Sequence, residues 1–177
     1  TVLRLEEETA SLLGTEAALF VVSGTMSNQL ALRTHVGPLD EVLCDYRAHI
    51  HTWEVGGIHA LCGASLAPAE PVAGEQFLDA AAVELHTRRD HSLYHQPITK
   101  LLALENTLNG AVAPLPLIAD AVTTARGLGL STHLDGARLF NAVAASGGPL
   151  SAYGALFDTV SVCLSKGLGA PVGSVLC

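Results

Sequence analysis

The run Thr159-Val160-Ser161-Val162-Cys163-Leu164-Ser165-Lys166-Gly167-Leu168-Gly169 decides how the chain is read. Its β-branched, apolar first half, Thr159 to Leu164, has the composition of a strand buried in a sheet. The strand ends at Ser165-Lys166, and glycines follow at once. A lysine at the mouth of a sheet, with glycines beside it, can reach into a pocket that a ligand also enters. Only two lysines occur in the chain, Lys100 and Lys166. The amine of such a lysine condenses with a carbonyl to a Schiff base. From this stretch alone, a strand-end lysine pointing to water is an equal alternative.

Working outward, the same grammar repeats. Leu130 to Leu134 reads as a strand that delivers Asp135-Gly136-Ala137-Arg138, followed by an apolar helix from Leu139 to Ala145. Lys100 to Glu105 reads as a strand ending in Asn106-Thr107-Leu108-Asn109-Gly110. Ala17 to Val22 reads as a first buried strand running into Ser23-Gly24-Thr25 and a helix from Met26 to His35. Glu41 to Cys44 is a short strand followed by His49, His51, Trp53 and Glu54. His59 to Ala67 reads as strand-like, and Gly173 to Cys177 as a strand that runs off the end. Helices are expected over Thr1–Leu13, Phe77–Thr87, Pro114–Gly127 and Leu150–Leu156.

Strands thus alternate with helices, which predicts an α/β fold: three layers, a mainly parallel sheet with helices on both faces. Gly24, Thr25, His49, Glu105, Asn106, Asp135, Arg138 and Lys166 all fall just after strands. Parallel strands place such positions on one edge, where open α/β sheets bind ligands. Individually the signals are modest. Gly24-Thr25 suits a phosphate at a helix N-terminus, but a plain cap by Ser23 or Thr25 is the commoner reading of such a junction. His49 suits stacking on a planar ligand or moving a proton, but for a lone histidine a hydrogen-bonded turn is the commoner reading. Asp135 with Arg138, squeezed between two apolar elements, favours a site over an exposed turn.

Composition narrows the classes. The chain of 177 residues suits one domain with a substantial core, and 49% of it is hydrophobic; a sheet buried on both faces accounts for that excess. No apolar run is long enough for a transmembrane helix. The net charge of −8 is spread without blocks, which argues against nucleic acid and anionic membranes as partners. Cys44, Cys62, Cys163 and Cys177 lack C-x-x-C spacing and no secretory signal is visible, so free thiols in a reducing, cytoplasmic setting are expected. Metal is not expected: among the histidines, His91 and His95 come nearest to zinc-ligand spacing, and they flank a loop. A helical pattern already under way at Thr1 and a strand still open at Cys177 read as a fragment truncated at both ends.

The stretch His133-Leu134-Asp135-Gly136-Ala137-Arg138-Leu139-Phe140-Asn141-Ala142 resembles the threonine aldolases, pyridoxal-phosphate enzymes of the aspartate-aminotransferase-like fold. So do Leu104-Glu105-Asn106-Thr107 with Asn109-Gly110, and Cys163-Leu164-Ser165-Lys166-Gly167-Leu168-Gly169-Ala170-Pro171-Val172-Gly173-Ser174. Ser23-Gly24-Thr25 and Ala48-His49 match earlier motifs in order, so the resemblance covers essentially the whole chain. It implies pyridoxal 5'-phosphate as cofactor and low-specificity cleavage of a β-hydroxy amino acid, L-threonine or L-allo-threonine, to glycine and acetaldehyde. It implies that Lys166 holds the cofactor as a Schiff base and that Asp135 pairs with the pyridine nitrogen. Arg138 would contact the phenolic-oxygen side, and Gly24 and Thr25 the phosphate. His49 would stack on the ring and take part in proton transfer, itself or through a water it orients.

Two departures stand out. Leu108 occupies a position where some members carry histidine, so a second imidazole is absent. The family's chains also extend past this one at both ends. Residues 1–177 correspond to the cofactor-binding large domain, without the N-terminal segment or the small C-terminal domain that supplies an arginine for the substrate carboxylate. Members are homo-oligomers, so a dimer or tetramer is expected. The competing expectations are another pyridoxal-phosphate lyase or aminotransferase on this fold, and a truncated, catalytically dead chain.

Overall fold

The computed structural model describes residues 1–90, 92 and 94–177. Among these, seven strands form one sheet: β1 (Leu19–Val21), β2 (Asp40–Asp45), β3 (Ser65–Ala69), β4 (Ile98–Glu105), β5 (Ser131–Gly136), β6 (Thr159–Cys163) and β7 (Ser174–Leu176). Their spatial order is β1-β7-β6-β5-β4-β2-β3. The five strands β3, β2, β4, β5 and β6 run parallel, while β7 is antiparallel to both of its neighbours. The helices are α1 (Val2–Leu13), α2 (Gly24–His35), α3 (His49–Thr52), α4 (Ala80–His86), α5 (Leu115–Gly127), α6 (Leu139–Ser146) and α7 (Leu150–Gly154).

Side chains alternate across a strand, so a strand buried on both sides feeds two cores. That happens here. Leu43 of β2 and Leu102 and Leu104 of β4 join one cluster, with Leu13, Ile118, Leu139 and Tyr153 from the helices. Their neighbours Val42, Cys44, Leu101 and Ala103 join a second cluster, on the opposite face, with Leu32 of α2 and Ile58. Each fully buried Leu or Val contributes about 1.5–3 kcal/mol relative to exposure. The three-layer, mainly parallel α/β architecture expected from the alternation is the one observed.

Three local expectations are corrected. His59 to Ala67 is not one strand: Ile58–Cys62 forms a π-helical turn, and β3 begins only at Ser65. Ile58 and Cys62 are buried while His59, Ala60 and Leu61 face outward, a helical rather than an alternating pattern. The first strand is not buried: β1 has three residues at the sheet edge, and of these only Val21 is buried. The helix expected from Phe77 starts at Ala80, because the Asp79 side chain accepts from the Ala82 N–H at 2.8 Å and caps it there. Phe77 and Leu78 go into the core ahead of it. All four cysteines are free thiols. Among the described residues, no helix is long and apolar enough to cross a membrane.

Candidate active site

The C-terminal ends of the parallel strands share one rim, and the register brings their last residues together. Glu105 pairs with Asp135 across β4 and β5, and Asp135 with Ser161 across β5 and β6. Above these ends lies a cavity of about 290 Å³. Gly24, Thr25, His49, Asp135, Arg138 and Lys166 all line it, together with Glu105. The structure therefore gathers every residue singled out for the site except Asn106. Asn106 is fully buried beneath the rim; its amide bonds Ala113 N and O and the Tyr153 hydroxyl, so it fixes the turn after β4 instead.

Local structure explains each placement. Ser23, in extended conformation, caps α2 by accepting from Met26 N at 3.1 Å. The N–H groups of Gly24 and Thr25 precede the first intrahelical bonds, so they are free for an anion. A Cβ on Gly24 would lie 2.8 Å from Cys163 Sγ, so only glycine lets the α2 terminus sit this close to β6. Arg138, exposed, is the N-cap residue of α6, and Lys166, also exposed, follows β6.

Beneath the cations lies a buried polar cluster. Asp135 Oδ1 accepts from Ala137 N at 3.0 Å and Oδ2 from Asn28 Nδ2 at 2.7 Å. The same Asn28 nitrogen donates to Glu54 Oε1 at 2.8 Å, and Gln29 Nε2 donates to Glu54 Oε2 at 2.6 Å. His49 Nδ1–H donates to Glu54 Oε1 at 2.9 Å, which leaves Nε2 for the cavity. Asn28, Gln29 and Glu54 were not anticipated. The available signal was Ser27-Asn28-Gln29, three polar residues on the inward face of a helix where a plain core would place apolar ones.

Glu105 has an unusual acidity. Burial, then the neighbouring Asp135, push its carboxyl up to about 7, against the opposing pull of the His49 N–H, the His49 ring and Lys166. The His49 N–H donates to Glu105 Oε2 at 2.8 Å. A group that exchanges its proton near neutrality, facing a cavity, is equipped for proton transfer.

His49, Glu54 and Asp135 also bring three potential metal-ligand atoms within 4.8 Å of one another. The Asn28 amide already bridges both carboxylates, and Glu54 already holds the imidazole, so the set forms a closed hydrogen-bonded unit. Of the loop histidines, His91 lies outside the described residues and His95 is exposed. A larger cavity of about 700 Å³ sits at the opposite edge, beside the strand beginnings Asp40, Ser65 and Ile98. Lys100 and Asp40 line it, but Lys166, Asp135 and the α2 terminus do not.

An amine, a buried carboxylate and a helix N-terminus meet around one cavity at the C-terminal rim of a parallel sheet, which makes this a three-layer α/β domain with its candidate site at the strand ends. The beta-eliminating lyase family model matches residues 1–177, and the chain belongs to that family. It is 47% identical over 174 residues to a low specificity L-threonine aldolase of Saccharomyces cerevisiae, covering 98% of this chain and 45% of that protein. It is 40% identical over 177 residues to a low specificity L-threonine aldolase of Escherichia coli O157:H7, covering 99% of this chain and 52% of that one. The structure of a Leishmania major threonine aldolase superposes with a TM-score of 0.81 at 27% identity, over 94% of this chain and 49% of that chain. The chain spans about half the length of the curated relatives it matches.

Proposed function

We propose that residues 1–177 form the pyridoxal-phosphate-binding large domain of a threonine aldolase, which cleaves a β-hydroxy amino acid such as threonine to glycine and acetaldehyde. The observation that carries this reading is the single cavity shared by Lys166, Asp135, Arg138, His49 and the α2 N-terminus. The relatives' names supply the substrate class.

The residues present fit the cofactor. Lys166 offers an exposed amine for its aldehyde, the unpaired N–H groups of Gly24 and Thr25 suit its phosphate, and Gly24 clears the space for a close approach. Asp135 offers a carboxylate to the ring nitrogen, oriented by its bonds to Ala137 and Asn28. When bound, pyridoxal phosphate supplies the electron sink for the pair released as the Cα–Cβ bond breaks. The chain's own residues do the rest. Cleavage turns the β-alcohol into an aldehyde, so the hydroxyl proton needs a base. His49 Nε2 takes that part, with Nδ1 held by Glu54. Glu105, which accepts from the His49 backbone N–H and faces the same cavity, holds a second proton that exchanges near neutrality. Arg138 supplies positive charge over the rim, where an adjoining cavity lined by Arg47, Trp53 and Asn109 gives the amino acid room.

Homo-oligomerisation belongs to the same reading. Val22 and Val172, 61% and 53% exposed, line the cavity, and Met26 and Leu168 are exposed nearby in sequence, apolar surface suited to a second subunit. The four free thiols accord with a cytoplasmic setting.

The test is reduction with borohydride in the presence of pyridoxal phosphate, followed by mapping of the modified residue. The expected result is a pyridoxyl group on Lys166 and loss of the visible absorbance band in Lys166→Ala. A band that survives in Lys166→Ala refutes the assignment. Release of glycine and acetaldehyde, rather than pyruvate and ammonia, separates aldol cleavage from β-elimination.

A further inference from the structure

The buried polar groups of the rim meet at one side chain, Asn28, which is 2% exposed. Its Nδ2 donates one hydrogen to Asp135 Oδ2 and the other to Glu54 Oε1. Two carboxylates on one amide nitrogen settle which way round the amide sits, because an oxygen there would face two acceptors. Asn28 Oδ1 therefore points at His133 Nε2, 3.2 Å away. That oxygen only accepts, so His133 Nε2 donates. Complete burial pushes His133 down to about 4, so its ring is neutral at pH 7 and Nδ1 is an acceptor. The Thr159 hydroxyl, 2.9 Å from Nδ1, supplies that hydrogen, and Thr159 Oγ1 accepts in turn from His35 Nε2 at 2.9 Å. With His133 neutral, the two carboxylates at the far end set the direction of each hydrogen bond from half-buried His35 to Asp135.

We propose that Asn28 is a positioning residue for the cofactor. Its amide holds Asp135 directly and His49 through Glu54, so one side chain orients both the carboxylate and the imidazole offered to a bound ring. This rests on the cofactor reading above. The ionisable groups in contact with Asn28 are Asp135, Glu54 and His133; His49 lies one bond further, and Glu105 and Lys166 line the same cavity. Asn28→Asp keeps the shape but replaces the donor by an acceptor, so three carboxylates would meet where one amide now separates two. His133→Gln keeps an amide N–H able to reach Asn28 Oδ1.

The test titrates the purified protein and its variants with pyridoxal phosphate. It reads the dissociation constant and the pH midpoint of the cofactor absorbance band, after borohydride mapping has located the cofactor on Lys166 in the unsubstituted protein. Asn28→Asp is expected to weaken cofactor binding about tenfold or more and to move the midpoint by about one pH unit or more. His133→Gln is expected to stay within about threefold. If Asn28→Asp does not fold, Asn28→Ala is read in the same way. An Asn28 that serves packing alone would lower the melting temperature and leave the midpoint unmoved in the molecules that bind; that outcome overturns the proposal. Failure of the unsubstituted protein to be reduced on Lys166 overturns the cofactor reading and this inference with it. Normal reduction on Lys166 beside an unmoved Asn28→Asp midpoint overturns the inference alone.

Discussion

Glu105 shows how a single residue at the rim ties stability to pH. Its carboxyl is raised from 4.5 to about 7, first by burial and then by Asp135. The folded protein thus holds a proton here that the unfolded chain has released. Stability from this group is fully present below about pH 4.5 and is lost as pH rises through about 7. A tenfold change in an acidity constant is worth about 1.4 kcal/mol, so the full effect is on the order of 3 kcal/mol. Glu105→Gln, which cannot ionise, is expected to flatten the fall in melting temperature between pH 5 and 8, measured without cofactor. Equal slopes in both proteins would show that this carboxyl titrates as an ordinary glutamate. Glu105 was visible as a strand-end carboxylate, but its acidity was not, because burial and the neighbouring Asp135 exist only after folding. The same holds for Asn28 and Glu54. They lie 26 residues apart, and Asn28 lies 107 from Asp135, so nothing local marks their meeting.

At the scale of elements, the packing of helix ends against neighbours decides whether the site forms. The α2 terminus sits against β6 because Gly24 has no Cβ; one would lie 2.8 Å from Cys163 Sγ. Gly24→Ala is expected to cost about 1–3 kcal/mol by overpacking and to weaken phosphate binding at the same helix end. Cys163→Ala should restore much of that loss, since the obstacle is one sulfur atom. A double-mutant cycle by urea denaturation measures the coupling, and strict additivity would mean that the two do not meet. The contact of α1 with α7 is less forgiving. A Cβ on Gly154 would lie 1.9 Å from the Leu13 carbonyl oxygen, which is backbone and cannot rotate away. Gly154→Ala should therefore cost about 3 kcal/mol, with no single side-chain substitution able to rescue it. The elements themselves were largely legible. Strands β2, β4 and β6 carry apolar runs followed by turn residues, β5 was marked by the Asp135-Gly136 turn that ends it, and Gly14 and Gly127 mark helix ends. The π-helical turn at Ile58–Cys62 was not legible, because five residues with two buried positions carry too little periodicity to separate helix from strand. Nor was the edge position of β1, since the partner of a three-residue strand is chosen by the whole sheet.

The whole molecule joins the rim cavity to global stability, because the groups that line it come from distant parts of the chain. Gly24 opens α2, His49 follows β2, Asp135 ends β5 and Lys166 follows β6. A ligand that touches all of them binds the folded state and has no counterpart in the unfolded one. Such a ligand stabilises by RT ln(1 + [L]/Kd), about 2.7 kcal/mol at a hundredfold excess over Kd. For a chain of this length that corresponds to a rise in melting temperature of about 5–10 °C. Pyridoxal phosphate should therefore raise the melting temperature progressively with concentration. Lys166→Ala should lose most of the rise while melting normally without cofactor, since its exposed side chain packs against little. Asp135→Ala should lose the rise and also melt lower without cofactor, because it strands the buried Asn28 donor. A rise of equal size in all three proteins would place the cofactor somewhere other than the rim, and differential scanning fluorimetry across a cofactor series is enough to distinguish the patterns.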